Sequence, residues 1–181
     1  LNQIYLLPAT AVGMYGIINQ YGLKMVGGPI GGFMSDKVHK SAAKHIRMGF
    51  LVCAIAMTAF LMVPHEALGQ TGKWMLGAAC TLGFGAIVFT MRAVFFAPMD
   101  EVKVPAEITG AAMSLASLVI YLPNAFAYVM YGSFLDRYPG MKGFRIVFTV
   151  MIGWAIVGLF VSTFLIHRIK KHQNQASDTN N

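Results

Sequence analysis

The chain has 181 residues, of which 56% are hydrophobic and 12% are charged, and its mean hydropathy is +0.60. This composition is too apolar for an ordinary water-soluble domain and indicates a membrane protein. The net charge of +7 can suggest nucleic-acid binding, but the bases form short clusters between apolar runs, as topology signals do, so no nucleic-acid partner is expected.

Five apolar runs are predicted to be transmembrane helices, because one span needs about 20 residues. In chain order they cover residues 8–34, 48–63, 74–96, 108–131 and 144–166. The second run is short, although Ala42 and Ala43 can extend it upstream. No segment has the pattern of a strand, so the predicted fold is all-α. We predict a multi-pass membrane domain over residues 1–172 and a polar, disordered tail over residues 173–181.

The end of the first run is rich in small residues and is followed at once by charges. Gly27 and Gly31, and Gly28 and Gly32, form two overlapping pairs with four-residue spacing, which predicts a face where another helix approaches closely. An acid and a row of bases then mark the exit from the membrane.

In this segment the chain resembles the major facilitator superfamily of transporters, whose cytoplasmic loop follows the pattern G-x-x-x-D-[RK]-x-G-[RK]. Gly32, Asp36, Lys37 and Lys40 fit the pattern, whereas His39 stands where the family prefers glycine, which favours the degenerate copy between the eighth and ninth helices. The resemblance implies that the five spans form most of the C-terminal six-helix half. It also implies that the acid holds one face closed at a helix end of the opposite half. The alternative is that Asp36 and Lys37 are solvated charges that end a helix.

The basic residues predict the orientation, because Lys and Arg are retained on the cytoplasmic side. One side holds Lys37, Lys40, Lys44, Arg47, Lys103, Arg168, Lys170 and Lys171, and the other holds Lys73, Arg137, Lys142 and Arg145. The C-terminus is therefore expected in the cytoplasm, most simply in a bacterial inner membrane. The sequence starts at Leu1, close to the first predicted helix, and shows no leader pattern there. An N-terminal half of the same transporter is therefore expected as a partner.

Polar residues within apolar runs are the candidate solute-binding groups, since their burial in lipid is costly. Lys24 lies about 15 Å from the inner end of its helix, near the bilayer midplane. Gln20 and Tyr21 share its helical face, and the three groups suit a carboxylate, phosphate or hydroxylated ligand. The alternative is that Lys24 pairs with a structural acid from another helix.

Arg92, Tyr121 and Asn124 are further candidates for the solute cavity. Arg92 lies about one turn from the end of its run, so the alternatives are an interface anchor or an ion pair with Asp100 or Glu101. Pro123 opens the helix next to Tyr121 and Asn124, which suits a cavity wall or a kink used only for packing.

Enzymatic, redox and metal chemistry are not expected from the motifs. Cys53 and Cys80 have no metal or disulfide spacing, and the histidines lie in predicted loops or at helix ends without an HExxH motif. No cofactor and no metal ligand are predicted.

The function expected from the resemblance is secondary active transport, by symport or antiport, of a small hydrophilic and anionic organic solute. Sugar acids, sugar derivatives and organic phosphates fit this description. The alternative is a membrane scaffold or assembly subunit that transports nothing.

Overall fold

A computed structural model describes residues 9–63 and 69–178 of the chain, and no strand occurs among them. The described residues form seven α-helices: α1 (Ala9–Ile17), α2 (Leu23–Phe33), α3 (Ala42–Met62), α4 (Gln70–Ala93), α5 (Ala97–Glu101), α6 (Ala106–Arg137) and α7 (Met141–Asp178). Two π-helical segments, Ile18–Gly22 and Met34–His39, directly follow α1 and α2. The all-α prediction is confirmed. Residues 1–8, residues 64–68 of the connection between the second and third predicted runs, and the last three residues lie outside the described ranges.

Four helices of the described residues are long and apolar enough to cross a membrane, by length and composition, instead of the predicted five. They are Ala42–Met62, Met75–Ala93, Ala106–Arg137 and Met141–Lys171. The first predicted run is helical, but the first π segment divides it into α-helices of 9 and 11 residues. Neither is long enough by itself, which corrects the predicted count.

Several helix ends differ from the predicted ones. α3 begins at Ala42, as the upstream extension of the second run predicted, because Ser41 caps it by accepting a hydrogen bond from the Lys44 N–H at 3.3 Å. The predicted connection after α4 contains the short helix α5. α7 continues as helix through Asp178, into residues predicted as a disordered tail, where Lys, Gln and Ala are good helix formers.

The helices pack as two pairs joined along α3 and α4. α1 and α2 lie parallel to α4, and Tyr15 donates a hydrogen bond to the Ala78 carbonyl at 2.9 Å. α3 lies antiparallel to α7, with the Phe60 and Phe148 rings 5.2 Å apart near one end. At the other end Ala43 is buried in one apolar cluster with Ile166 and Ile169 of α7. α6 packs mainly on α7 and contains no buried residue.

Candidate functional site

The contacts of α1 and α2 with α4 repeat every four residues. They are made at Tyr15, Asn19, Leu23, Gly27 and Gly31. In an uninterrupted α-helix each step of four residues overshoots one turn by about 40°, so such a stripe would wind away from a straight neighbour. A π turn contains more residues than an α turn. The π segment Ile18–Gly22 therefore keeps the stripe directed at α4.

Gly27 and Gly31 permit the closest approach of the two helices. A Cβ placed on Gly27 would lie 2.7 Å from the Phe89 Cβ, and one on Gly31 would collide with the Thr90 carbonyl oxygen. The close-packing prediction is confirmed for this pair. The second predicted pair differs, because a Cβ on Gly28 or Gly32 would meet nothing within 4 Å among the described residues.

The predicted solute-binding residues Gln20, Tyr21 and Lys24 are all exposed at the first π segment and the start of α2. Asn19 and Leu23 hold this segment on α4, where each would lie 2.7 Å from a Cβ on Gly85. The segment is thus anchored on α4 through Asn19 and Leu23, and its amide, phenol and ammonium groups belong to exposed residues. Lys24 forms no ion pair with any described residue, so none of the described acids is the structural partner that the alternative interpretation requires.

Arg92 and Asn124 line two adjoining cavities on the other side of α4. Arg92 borders a cavity of about 250 Å³ and Asn124 borders one of about 700 Å³. Phe50, Tyr131 and Trp154 contribute to both. Within the described ranges Arg92 forms no ion pair with Asp100 or Glu101.

The six candidates therefore do not form one site in this part of the chain. Lys24, Gln20 and Tyr21 lie on the interrupted helix, whereas Arg92 and Asn124 line the cavities beyond α4. Tyr121 is half exposed on α6 and borders neither of these two cavities.

The predicted loop motif lies at the junction of the second π segment with α3. A Cβ on Gly32 would meet no described atom within 4 Å. Lys37 Nζ lies 6.0 Å from the centroid of the Phe33 ring. Lys40 ends the π segment with a left-handed φ of 51°. Asp36 is exposed and borders a cavity of about 420 Å³ with Lys40. Its role at a helix end of another half stays a prediction.

A different acid, Glu101, holds the start of α3. Its carboxylate accepts a hydrogen bond from the Ser41 hydroxyl at 2.9 Å and another from the Ala42 N–H. Negative charge at a helix N-terminus is favourable because the first N–H groups have no partner within the helix. Sequence reasoning considered Glu101 only as an ion-pair partner of Arg92 and missed this contact, since nothing local links residues 60 positions apart.

His39 and His45 meet beside the same junction, and sequence reasoning missed this pair too. Their Nδ1 atoms are 3.2 Å apart, and His39 Nδ1 is 3.2 Å from the Met34 carbonyl oxygen. His45 is 3% exposed. The sequence feature that could have indicated the pair is its six-residue spacing. His39 lies at the end of one helical segment and His45 near the start of the next, so a turn between them can bring the two side chains together.

Comparison with known proteins gives relatives but no activity. Two of the relatives are named inner membrane proteins. The chain is similar to inner membrane protein YihN of Escherichia coli (strain K12), with 50% identity over 175 residues, covering 97% of this chain and 41% of that protein. Inner membrane protein YqcE of the same strain is 26% identical over 169 residues, covering 92% of this chain and 38% of that protein.

An uncharacterized protein of Mycoplasma pneumoniae is 29% identical over 107 residues, covering 55% of this chain and 48% of its own length. The chain therefore spans less than half the length of each of these curated relatives. No protein-family model and no solved structure matches it.

Proposed function

We propose that this chain forms most of the C-terminal half of a major facilitator type secondary transporter in a bacterial inner membrane. It moves a small hydrophilic, anionic organic solute, such as a sugar acid, a sugar derivative or an organic phosphate, by alternating access. Four apolar helices support a place in the membrane, and the names of the two Escherichia coli relatives support the inner membrane.

The strongest support for a solute site is the interruption of the first helix at Gln20 and Tyr21. π turns inside helices are frequent at functional sites, and transporters place their sites at discontinuous helices. Here the interruption is followed two residues later by an exposed ammonium, Lys24, which is the only charged group in the first predicted run. Such a group suits an anionic solute better than a neutral one.

Arg92 and Asn124 supply a second polar wall in this proposal. Asn124 follows Pro123, which lies inside α6 and interrupts its hydrogen bonding. Rocking of the halves brings this wall and the Lys24 face to the solute in turn. The partner is the rest of the same transporter, the C-terminus faces the cytoplasm, and the membrane domain has no enzymatic role.

The test is uptake by the full-length protein in proteoliposomes. Radiolabelled D-glucuronate and glycerol 3-phosphate are suitable probes, each with an imposed pH or sodium gradient of either direction. Saturable uptake above that of protein-free liposomes is expected for at least one probe class. A membrane scaffold predicts no saturable uptake of either class and no exchange of preloaded solute.

A further inference from the structure

Four residues with potential metal-ligating side chains border a cavity between α2, α3 and α4. The cavity has a volume of about 330 Å³ and is bordered by His39, His45, Met34 and Met48, with mostly apolar walls elsewhere. We propose that these two imidazoles and two thioethers bind a soft monovalent metal ion, Cu(I). This inference does not depend on the proposed transport activity.

The distances between the donor atoms fit a metal ion. The two Nδ1 atoms are 3.2 Å apart, and the Met34 carbonyl oxygen is 3.2 Å from one of them. When metal–nitrogen bonds are about 2.0 Å in a tetrahedral site, neighbouring donor atoms lie about 3.3 Å apart. Both imidazoles therefore already have nearly the separation that one ion requires.

The second nitrogen of His45 indicates which lone pair is available. Nε2 is buried and makes no hydrogen bond of ordinary geometry, but the backbone of Thr90 lies beside the ring and interacts with it. With the proton on Nε2, the Nδ1 lone pair, which lies 3.2 Å from His39 Nδ1, is left for a metal ion. Ligating histidines commonly direct their other N–H to a backbone carbonyl, which fixes the ring.

Local helix geometry brings each methionine to the side of its histidine. Met34 and His39 are five residues apart within a π segment, whose hydrogen bonds join residues i and i+5, and the Met34 carbonyl oxygen lies 3.2 Å from His39 Nδ1. His45 and Met48 are three residues apart on α3, which places them on one helical face. The Met34–His39 pair of the π segment and the His45–Met48 pair of α3 therefore border the same cavity.

The donor types select the ion. Thioethers are soft ligands that favour Cu(I), whereas Mg²⁺ and Ca²⁺ require oxygen ligands. Among the described residues no group of three His, Cys, Asp or Glu side chains is arranged to hold a metal ion. The apolar walls also favour a single positive charge over a double one, because desolvation is less costly.

The test is anaerobic titration of the full-length protein with Cu(I) against a chromogenic Cu(I) chelator of known affinity. One Cu(I) per chain is expected to be retained. His45→Gln removes a ligand and should weaken retention more than about tenfold, and Met48→Leu, which conserves volume, should weaken it by about tenfold. His167→Gln and Met25→Leu, at exposed positions, are matched controls and should bind as the unaltered protein does.

The outcomes separate the proposal from its alternatives. No retained Cu(I), or equal retention by His45→Gln, would overturn the site. Tight Zn²⁺ binding without Cu(I) binding would overturn the soft-ion assignment, and equal binding by Met48→Leu and Met25→Leu would overturn the thioether ligands. If His45→Gln does not fold, His39→Gln and Met48→Leu provide the same decision from less buried positions.

Discussion

Gly27 and Gly31 leave no room for added volume where α2 packs on α4. A methyl group on Gly31 must displace the Thr90 backbone, which belongs to a packed helix and cannot rotate away. We expect Gly31→Ala to lower the free energy of unfolding by about 1–3 kcal/mol, because overpacking forces the helices apart. The measurement is thermal unfolding of the full-length protein in one detergent.

Gly28→Ala is the matched control, since its added methyl group meets no described atom. It removes backbone freedom from the unfolded chain and should be neutral or stabilising by about 0.5–1 kcal/mol. Equal effects of the two substitutions would show that helix propensity, and not the contact with α4, decides the stability.

Lys24 is expected to make the charge contact with the solute. Lys24→Gln keeps a polar side chain but loses the charge, so solute affinity should fall by about tenfold or more, whereas thermal stability should not change. Lys24→Arg keeps the charge with a different shape and should bind better than Gln but worse than Lys. The measurements are equilibrium binding and thermal unfolding of the full-length protein.

A structural role for Lys24 gives the opposite pattern. Loss of the ammonium would then strand a buried acid and lower stability, with affinity unchanged. Lys171→Gln, at an exposed position of α7, is the control for the loss of one surface charge.

Individual contacts were predictable from sequence only where spacing along one helix determines them. The four-residue spacing of Gly27 and Gly31 predicted their close packing, because residues four apart share a face in an isolated helix. The His39–His45 contact depends on the left-handed turn at Lys40, and the Glu101 contact depends on how α5 returns to α3. Neither geometry is encoded locally, so sequence reasoning missed both.

At the scale of the element, the start of α3 is held by groups from two parts of the chain. Ser41 caps the helix, and the Glu101 carboxylate accepts hydrogen bonds from its hydroxyl and from the Ala42 N–H. Glu101→Gln removes the charge and should lower the free energy of unfolding by about 1 kcal/mol. The measurement is the thermal midpoint, compared at low and high salt.

Asp100→Asn provides the comparison, because Asp100 is exposed and borders the same 420 Å³ cavity as Glu101. It should change the midpoint little. If both substitutions act equally, the general negative charge of this cavity stabilises the protein and the specific contact with α3 does not.

The two kinds of helical turn explain why the first run was predicted as one span. Its composition is mostly apolar, and composition does not distinguish α from π turns. The four-residue stripe from Tyr15 to Gly31 is visible in the sequence in retrospect, and it matches a neighbour only if the helix is locally underwound. Which helix supplies that neighbour, here α4, follows from tertiary packing.

At the scale of the whole molecule, the described helices leave five of the six polar candidates on two separate surfaces. The Lys24 face lies on the interrupted helix. The Arg92 cavity lies between α3, α4, α6 and α7, and the Asn124 cavity lies between α3, α6 and α7. In the proposed transporter a solute contacts these surfaces with groups from the rest of the protein. The apolar pattern predicted helices and membrane, whereas the arrangement of the surfaces required the fold.

Asp36 connects these helices to the proposed movement of the halves. It is exposed on the second π segment, directly before the junction held by Glu101, and makes no hydrogen bond to another described residue. In the proposed transporter, a helix end or a base of the other half therefore approaches its carboxylate when one face closes. Asp36→Asn keeps the size but removes the charge, and should slow transport about three- to tenfold, because such a charge is worth roughly 1 kcal/mol.

Equilibrium affinity for the solute should stay unchanged, since Asp36 lies in the loop motif and not among the candidate solute ligands. The measurement compares initial uptake rates and binding by proteoliposomes that contain equal amounts of full-length protein, with Asp100→Asn as the control acid. A normal initial uptake rate for Asp36→Asn would indicate that the carboxylate is only a solvated charge at the end of a helix. A lowered affinity at a normal maximal rate would instead place it at the solute, and either result would remove its switching role.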